Sequence, residues 1–288
     1  NYNFEKTDIT NANKVNKILT EFQPNLLFHL AAESHVDNSI TNPGNFIKTN
    51  VVGTYNLLNG ALINIKDKRK FKFIHISTDE VYGSLNDIKK NSFIEESKFL
   101  PNSPYAASKS SSDLLVRAWN KTYKLKTITT NCVNNFGPWQ FPEKLIPVVI
   151  YSCLKKINIP VYGKGNNIRE WIHVDDHVKL LIDISKKGKI GECYNIGSGN
   201  EFQNIDIIKK ICTYLDHKIP SNKSYLKLIK FVKDRPGHDF RYSINSTKLN
   251  ILLKRKIKFN FDKKFNDTID WYINNKEWLF NKKNKYFK

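Results

Sequence analysis

Phe71-Lys72-Phe73-Ile74-His75-Ile76, followed by Ser77-Thr78-Asp79-Glu80, reads as a buried strand that delivers two hydroxyls and two carboxylates to its carboxyl end. Short apolar runs of this kind suit the inner strands of a parallel sheet. Leu26-Leu27-Phe28-His29-Leu30 upstream and residues 127–131 downstream have the same character. Between these runs, residues 45–65 carry apolar side chains at helical intervals behind a Pro43-Gly44 start signal, and 104–123 form a second helical stretch. The alternation predicts an α/β protein with a Rossmann-like, doubly wound parallel sheet. Beyond Asn135 the pattern is broken by Gly137-Pro138, Pro142, Pro147, Pro160 and Gly163. Helices are expected there at 145–155, 174–185, 205–215 and 265–275. Residues 1–135 are therefore assigned to the Rossmann-like domain. Residues 136–288 are assigned mainly to a smaller mixed α/β lobe, with some segments returning to the sheet.

With 288 residues and 40% hydrophobic side chains the chain can bury a large core, and no apolar run reaches the roughly 18 residues of a membrane span. No membrane partner is expected. The formal charge is +20, yet only six of the 47 basic residues are Arg, and the Lys are scattered among Asn and Ile. That distribution reflects composition rather than a basic patch, so nucleic acid is not expected as a partner. Cys132, Cys153, Cys193 and Cys212 are too widely spaced for a C-x-x-C motif, which points to a reducing, cytoplasmic setting and no metal. His29, His75 and His173 read as packing residues without a ligand cluster.

Asp79 and Glu80 stand where open α/β sheets place their sites. Neighbouring carboxylates at a concave edge can be driven to different pKa values, one serving as acid and one as base. Alone, the pair would read as an ordinary helix start. Tyr105 and Lys109 are four apart on one helix face, where the ammonium is expected to favour the phenolate. The same spacing recurs at Tyr2/Lys6, Tyr151/Lys155, Tyr214/Lys218 and Tyr272/Lys276. Only Tyr105 follows a Ser-Thr strand end and lies within Ser103-Pro104-Tyr105-Ala106-Ala107-Ser108-Lys109.

Six motifs stand in order: residues 29–37 (HLAAESHVD), 77–83 (STDEVYG), 103–109 (SPYAASK), 134–138 (NNFGP), 141–147 (FPEKLIP) and 234–239 (DRPGHD). The chain thereby resembles the extended short-chain dehydrogenases, and within them the dTDP-glucose 4,6-dehydratases, over almost its whole length. The resemblance implies an NAD-dependent hydro-lyase that makes a 4-keto-6-deoxy sugar for deoxysugar synthesis, such as that of rhamnose. Tyr105 would take the sugar 4-OH proton with Thr78 as hydrogen-bond partner. Glu80 would remove the C5 proton, Asp79 would protonate the departing C6 hydroxyl, and Lys109 would bridge to the nicotinamide ribose. By the same matching, Asp8 and Ile9 would lie near the adenine. Leu30, Ala31, Ala32, Glu33, Ser34, Thr49 and Asn135 would line the dinucleotide. The nucleotide-sugar would meet Ser34, Thr78, Asn134, Lys144, Leu145, Pro160, Val161, Tyr162, Arg169, Asn204, Asp234, Arg235, Pro236, Gly237 and His238. Arg169 and Arg235 suit the diphosphate because guanidinium grips phosphate oxygens in pairs. A homodimer through the helices at 45–65 and 104–123 is implied as well. UDP-glucose is the alternative substrate, and a non-catalytic binding or scaffold remnant is the alternative of another class.

Against that family, a departure stands at the start. The Gly-rich turn that brings dinucleotide phosphates to a helix N-terminus is missing, and residues 1–10 resemble the family's third strand and its turn. The first βαβ segment, about 50 residues, is expected to be absent, with weak NAD binding and marginal folding as consequences.

Overall fold

The computed structural model describes residues 2–86 and 91–286, with side chains through Lys282. Helix α1 (Ala12–Phe22) opens the fold, capped by Asn11, whose side chain accepts from the amide of Lys14. Strand β1 (Leu26–His29) leads into the short helices α2 (Val36–Thr41) and α3 (Pro43–Phe46). A π-helical turn, Ile47–Val52, then joins α3 to α4 (Gly53–Asn64). Next come β2 (Lys72–Thr78), a 3-10 turn at Asp79–Tyr82, α5 (Pro104–Tyr123), β3 (Thr127–Cys132) and β4 (Asn134–Phe136). The remaining α-helices and strands are α6 (Leu145–Lys155), β5 (Ile159–Tyr162), β6 (Ile168–His173), α7 (Val174–Lys187), β7 (Cys193–Ile196), β8 (Glu201–Gln203), α8 (Asn204–Lys218), β9 (Ile229–Val232), α9 (Thr247–Leu253), α10 (Phe261–Asn274) and α11 (Lys276–Tyr286).

The main sheet is parallel throughout, in the order β1-β2-β3-β7. β7 lies far beyond position 135 and still pairs with β3. On one face α1, α4 and α5 bury Val15, Leu19, Leu58, Phe73 and Val116; on the other, α7 and α9 bury Leu180, Ile184 and Leu249. A separate core of Ile146, Ile150, Ile208, Ile211, Phe265 and Ile269 joins α6, α8 and α10. Each such side chain withdrawn from water contributes roughly 1.5–3 kcal/mol. Every parallel strand of the main sheet points its carboxyl end the same way, so β2 brings Thr78 to one edge beside the start of α5.

Two expectations need correction. Residues 2–8 form no strand, because no neighbouring strand among the described residues offers them a ladder; only the turn after them is present, closed by the Thr10 amide on Asp8 Oδ1 at 2.8 Å. The helix expected over 45–65 is interrupted by the π turn, which rotates Asn50 inward until it is 1% exposed.

Candidate active site

β2 ends at Thr78, whose Oγ1 accepts from the Glu80 amide at 3.3 Å and donates to Asp79 Oδ1 at 3.2 Å. The 3-10 turn closes at Gly83, with φ +85°, where a Cβ would lie 2.3 Å from the Leu100 carbonyl oxygen. Asp79 is buried, and its Oδ2 has no partner among the described residues. Burial, then the negative charges of Glu80 and Glu170, push its carboxyl well above the usual range. Burial raises Glu80 too, but the positive charges of Arg169, Arg235 and Lys144 oppose the rise. Two adjacent carboxyls thus occupy unlike environments: both are raised, but cations restrain the rise at Glu80, while neighbouring negative charges add to it at Asp79.

α5 begins at Ser103, whose side chain caps the Ala106 amide, with Pro104 in the first turn. It presents Tyr105 and Lys109 to the end of β2, and Lys109 Nζ donates to the Ile76 carbonyl at 2.8 Å. The expectation that Lys109 draws Tyr105 toward its phenolate is not met. Burial and the nearby Glu80 hold the Tyr105 hydroxyl well above its ordinary pKa, while its hydrogen bond with Thr78 opposes this. Desolvation outweighs any ammonium effect in a site this dry.

After β1, residues Leu30, Ala31, Ala32 and Glu33 run exposed at the sheet edge, with Ser34 half-buried. Asn50 holds this loop, and Thr49 sits beside it, half-buried, on the π turn. Ile9 fills the space over Gly53, and the Asn56 side chain donates to the Ile9 carbonyl at 3.0 Å. Asn135 spends its amide within the protein, on the Val133 carbonyl and on His177 Nδ1 at 2.9 Å.

A cleft of about 460 Å³ opens between the main sheet and the second core. Of the expected sugar-binding residues, Ser34, Asn134, Lys144, Leu145, Pro160, Val161, Tyr162, Arg169, Asn204, Arg235 and His238 line it. Glu80 is the member of the expected catalytic set on its wall; Thr78, Asp79, Tyr105 and Lys109 are not among the lining residues, nor are Asp234, Pro236 and Gly237. Asp234 instead accepts from the Arg235 amide and pairs with His238 Nδ1 at 2.7 Å. Gly237, at φ +63°, passes so close to Asn102 that a Cβ would stand 2.9 Å from its carbonyl oxygen.

The two arginines differ. Arg169 is buried, gives its terminal nitrogens to the carbonyls of Ile168, Phe240 and Asp239, and lies 4.3 Å from the Tyr242 ring centroid. Arg235 bonds Asp37 Oδ1 at 3.2 Å and keeps a buried Nε without a partner among the described residues. Sequence reading did not select His35, Val36, Asp37, Glu143, Val148, Gly165, Trp171 or Ile208, which also line the cleft. Asp37 had a signal, as it closes the 29–37 motif, and it also accepts from Tyr162 Oη at 3.0 Å.

The buried Lys109 ammonium has three donors and a single acceptor among the described residues, so two N–H groups remain for a ligand's hydroxyls. No G-x-G-x-x-G turn for a pyrophosphate occurs in the chain.

The family model described as GDP-mannose 4,6 dehydratase matches residues 1–268. The dTDP-glucose 4,6-dehydratase of Shigella flexneri and dTDP-glucose 4,6-dehydratase 1 of Escherichia coli K12 are each 48% identical, over 98% of this chain and 81% of theirs. Among solved structures, the dTDP-glucose 4,6-dehydratase of Streptomyces venezuelae with NAD bound is similar at TM-score 0.86 and 39% identity, over 94% of this chain and 80% of that one. The UDP-glucose 4-epimerase of Thermotoga maritima, at 24% identity, TM-score 0.82 and coverage of 94% and 84%, shares the fold. The chain belongs to the GDP-mannose 4,6 dehydratase family, with dTDP-glucose 4,6-dehydratases among its relatives.

Proposed function

We propose that this chain is an NAD-dependent dTDP-glucose 4,6-dehydratase, a hydro-lyase yielding dTDP-4-keto-6-deoxyglucose and water for deoxysugar synthesis. The observation that carries the reading is the split carboxyl pair Asp79 and Glu80, set on a turn beside Tyr105 and Lys109 at the rim of a cation-lined cleft. Bound NAD supplies the oxidant at the sugar's C4 and later the reductant at C6.

Tyr105, hydrogen-bonded to Thr78, receives the proton of the 4-hydroxyl. It does so as the phenolate: Tyr105 holds its own proton tightly in the ligand-free chain, so that proton must first pass to solvent, leaving a form that the Lys109 ammonium and the positive charge of oxidised NAD would favour. A ketone at C4 acidifies C5, and Glu80 takes the C5 proton. Asp79 gives its proton to the C6 hydroxyl, which leaves as water. Lys109 holds the ribose and the strand end together. Simple 4-epimerisation needs no such acid and base pair. In the cleft, Lys144 and Arg235 take the diphosphate, while Asn134, Leu145, the β5 edge and Asn204 take the sugar and base. In this reading residues 1–135 carry the dinucleotide and 136–288 mainly the nucleotide-sugar.

A homodimer through α4 and α5 is supported by the apolar side chains these helices leave in water, Tyr55, Ile63, Leu114 and Tyr123. All four cysteines are free, which supports a cytoplasmic setting, and no helix among the described residues is long and apolar enough to cross a membrane. The test is mass spectrometry of dTDP-glucose and UDP-glucose incubated with protein and NAD in heavy water. Loss of one water with solvent hydrogen entering C5, for dTDP-glucose alone, is the expected result. Conversion of UDP-glucose at an equal rate overturns the substrate, and no conversion of either by protein shown to hold NAD overturns the enzyme.

A further inference from the structure

Behind the catalytic turn lies a buried polar cluster that the mechanism leaves unused. Asp113 stands four residues past Lys109 on the same face of α5 and is 4% exposed. Its Oδ2 accepts from Ser77 Oγ at 2.8 Å, and its Oδ1 accepts from His75 Nε2 at 3.0 Å. Lys109 Nζ bonds the carbonyl of Ile76, the residue between those two. Three successive residues of β2 are thereby fastened to two positions of α5 one helical turn apart.

A buried ammonium needs a compensating charge. Burial pushes Lys109 down, and Asp113 is the strongest influence holding it up. Asp113 is itself pushed up to about 7 by burial, with Lys109 and the Ser77 bond opposing. The groups around it from other elements are neutral. His29 on β1 and His75 on β2 are buried and held well below the usual histidine range. Tyr82 on the 3-10 turn, Cys132 on β3 and Cys193 on β7 are all pushed toward their protonated forms.

We propose that Asp113 is a positioning residue of this site: clamped by His75 and Ser77, its carboxylate keeps Lys109 charged and fixes where α5 presents Lys109 and Tyr105. It acts through Lys109 and touches neither sugar nor dinucleotide. The inference rests on the role given to Lys109 above.

Protein labelled with 15N-lysine reports the ammonium directly, without cofactor, once the Lys109 signal is identified by its loss in Lys109→Arg. Asp113→Asn keeps the shape and removes the charge. Its Lys109 midpoint is expected to fall by on the order of one pH unit. Ser77→Ala removes a hydrogen bond and leaves the charge, so it should move the midpoint far less. An unchanged midpoint in Asp113→Asn, or an equal shift in Ser77→Ala, overturns the proposal. Asp113→Glu guards against a misfolded Asn variant: its retained charge should hold the midpoint within about half a unit of wild type, and a larger fall counts against the idea. If the wild-type protein with NAD bound dehydrates no sugar, the dehydratase reading fails while the 15N titration still decides the link between Asp113 and Lys109.

Discussion

Asn50 grips both backbone groups of Glu33: its Oδ1 accepts from the Glu33 amide at 2.9 Å, and its Nδ2 donates to the Glu33 carbonyl at 3.0 Å. The same Nδ2 reaches Ser108 Oγ at 2.8 Å, so one side chain ties the loop after β1 to α5. The π turn makes this possible, because the extra residue in the turn redirects Asn50 from the helix flank into the protein.

Asn50→Ala should therefore loosen the loop assigned to the dinucleotide. Stability is expected to fall by about 2 kcal/mol, since part-buried backbone groups lose their partners. Affinity for NAD should weaken by about tenfold or more, equivalent to about 1.4 kcal/mol. Urea denaturation and a fluorescence titration with NAD read the two effects separately. A stability loss with unchanged NAD affinity would leave the loop a merely structural feature.

Asp79 and Glu80 should fail at different steps. Glu80→Gln is expected to abolish solvent hydrogen entry at C5, whereas Asp79→Asn should permit it while stopping loss of water, each lowering turnover by about 10²–10⁴-fold. Glu80 works as its anion, so activity falls as pH drops through its raised pKa. Asp79 works protonated, so activity falls as pH rises through its own, higher one. The alkaline limb set by Asp79 should vanish from the residual activity of Asp79→Asn. If both variants lose C5 exchange equally, the division of labour is wrong.

The raised pKa of Asp79 also has a sign in stability. The folded state binds its proton more tightly than the unfolded chain, so this group's contribution is greatest below the unfolded value of about 3.9 and declines as pH rises through the folded one. Asp79→Asn is expected to melt higher than wild type at neutral pH, with the gap closing as the solution is acidified. A catalytic group held against its solvation preference lowers stability where it works. Thermal melts of both proteins from pH 4 to pH 8 check this, and a lower melting point for Asp79→Asn at pH 7 would contradict it.

Much of this was legible because it is local. The β2 strand and the hydroxyl and carboxyl pairs after it follow one another in sequence, and α5 announces itself by Ser103, Pro104 and the apolar residues Leu114, Leu115, Val116 and Trp119; both stand as expected. Helix α1 also carries a signal in the sequence, an Asn11 cap with Val15 and Leu19 one turn apart. The π turn was not legible, since Ile47–Val52 has ordinary helical composition and its displacement depends on what Asn50 meets. Nor was the state of Tyr105. Spacing places an ammonium nearby, but only the fold reveals how completely the hydroxyl is dried. The division between Arg169 and Arg235 is of the same kind, for both are single basic residues until the backbone carbonyls around one of them are seen.

That division carries the last expectation. Arg169 is fixed by the carbonyls of Ile168, Phe240 and Asp239 and stacks on Tyr242, so its removal leaves buried acceptors bare and takes away a charge that restrains Glu80. Arg169→Ala should cost about 3 kcal/mol or more of stability. Arg235, with one bond to Asp37 and its Nε unfilled, is free to turn two donors toward a diphosphate. Arg235→Ala should fold nearly as well as wild type and weaken dTDP binding by about 10–100-fold, the loss expected for a paired guanidinium contact. Calorimetric titration with dTDP, beside a denaturation curve for each variant, separates the two. Equal losses of dTDP affinity at matched stability would mean that both arginines meet the ligand, and that the carbonyl cage around Arg169 opens when the cleft is filled.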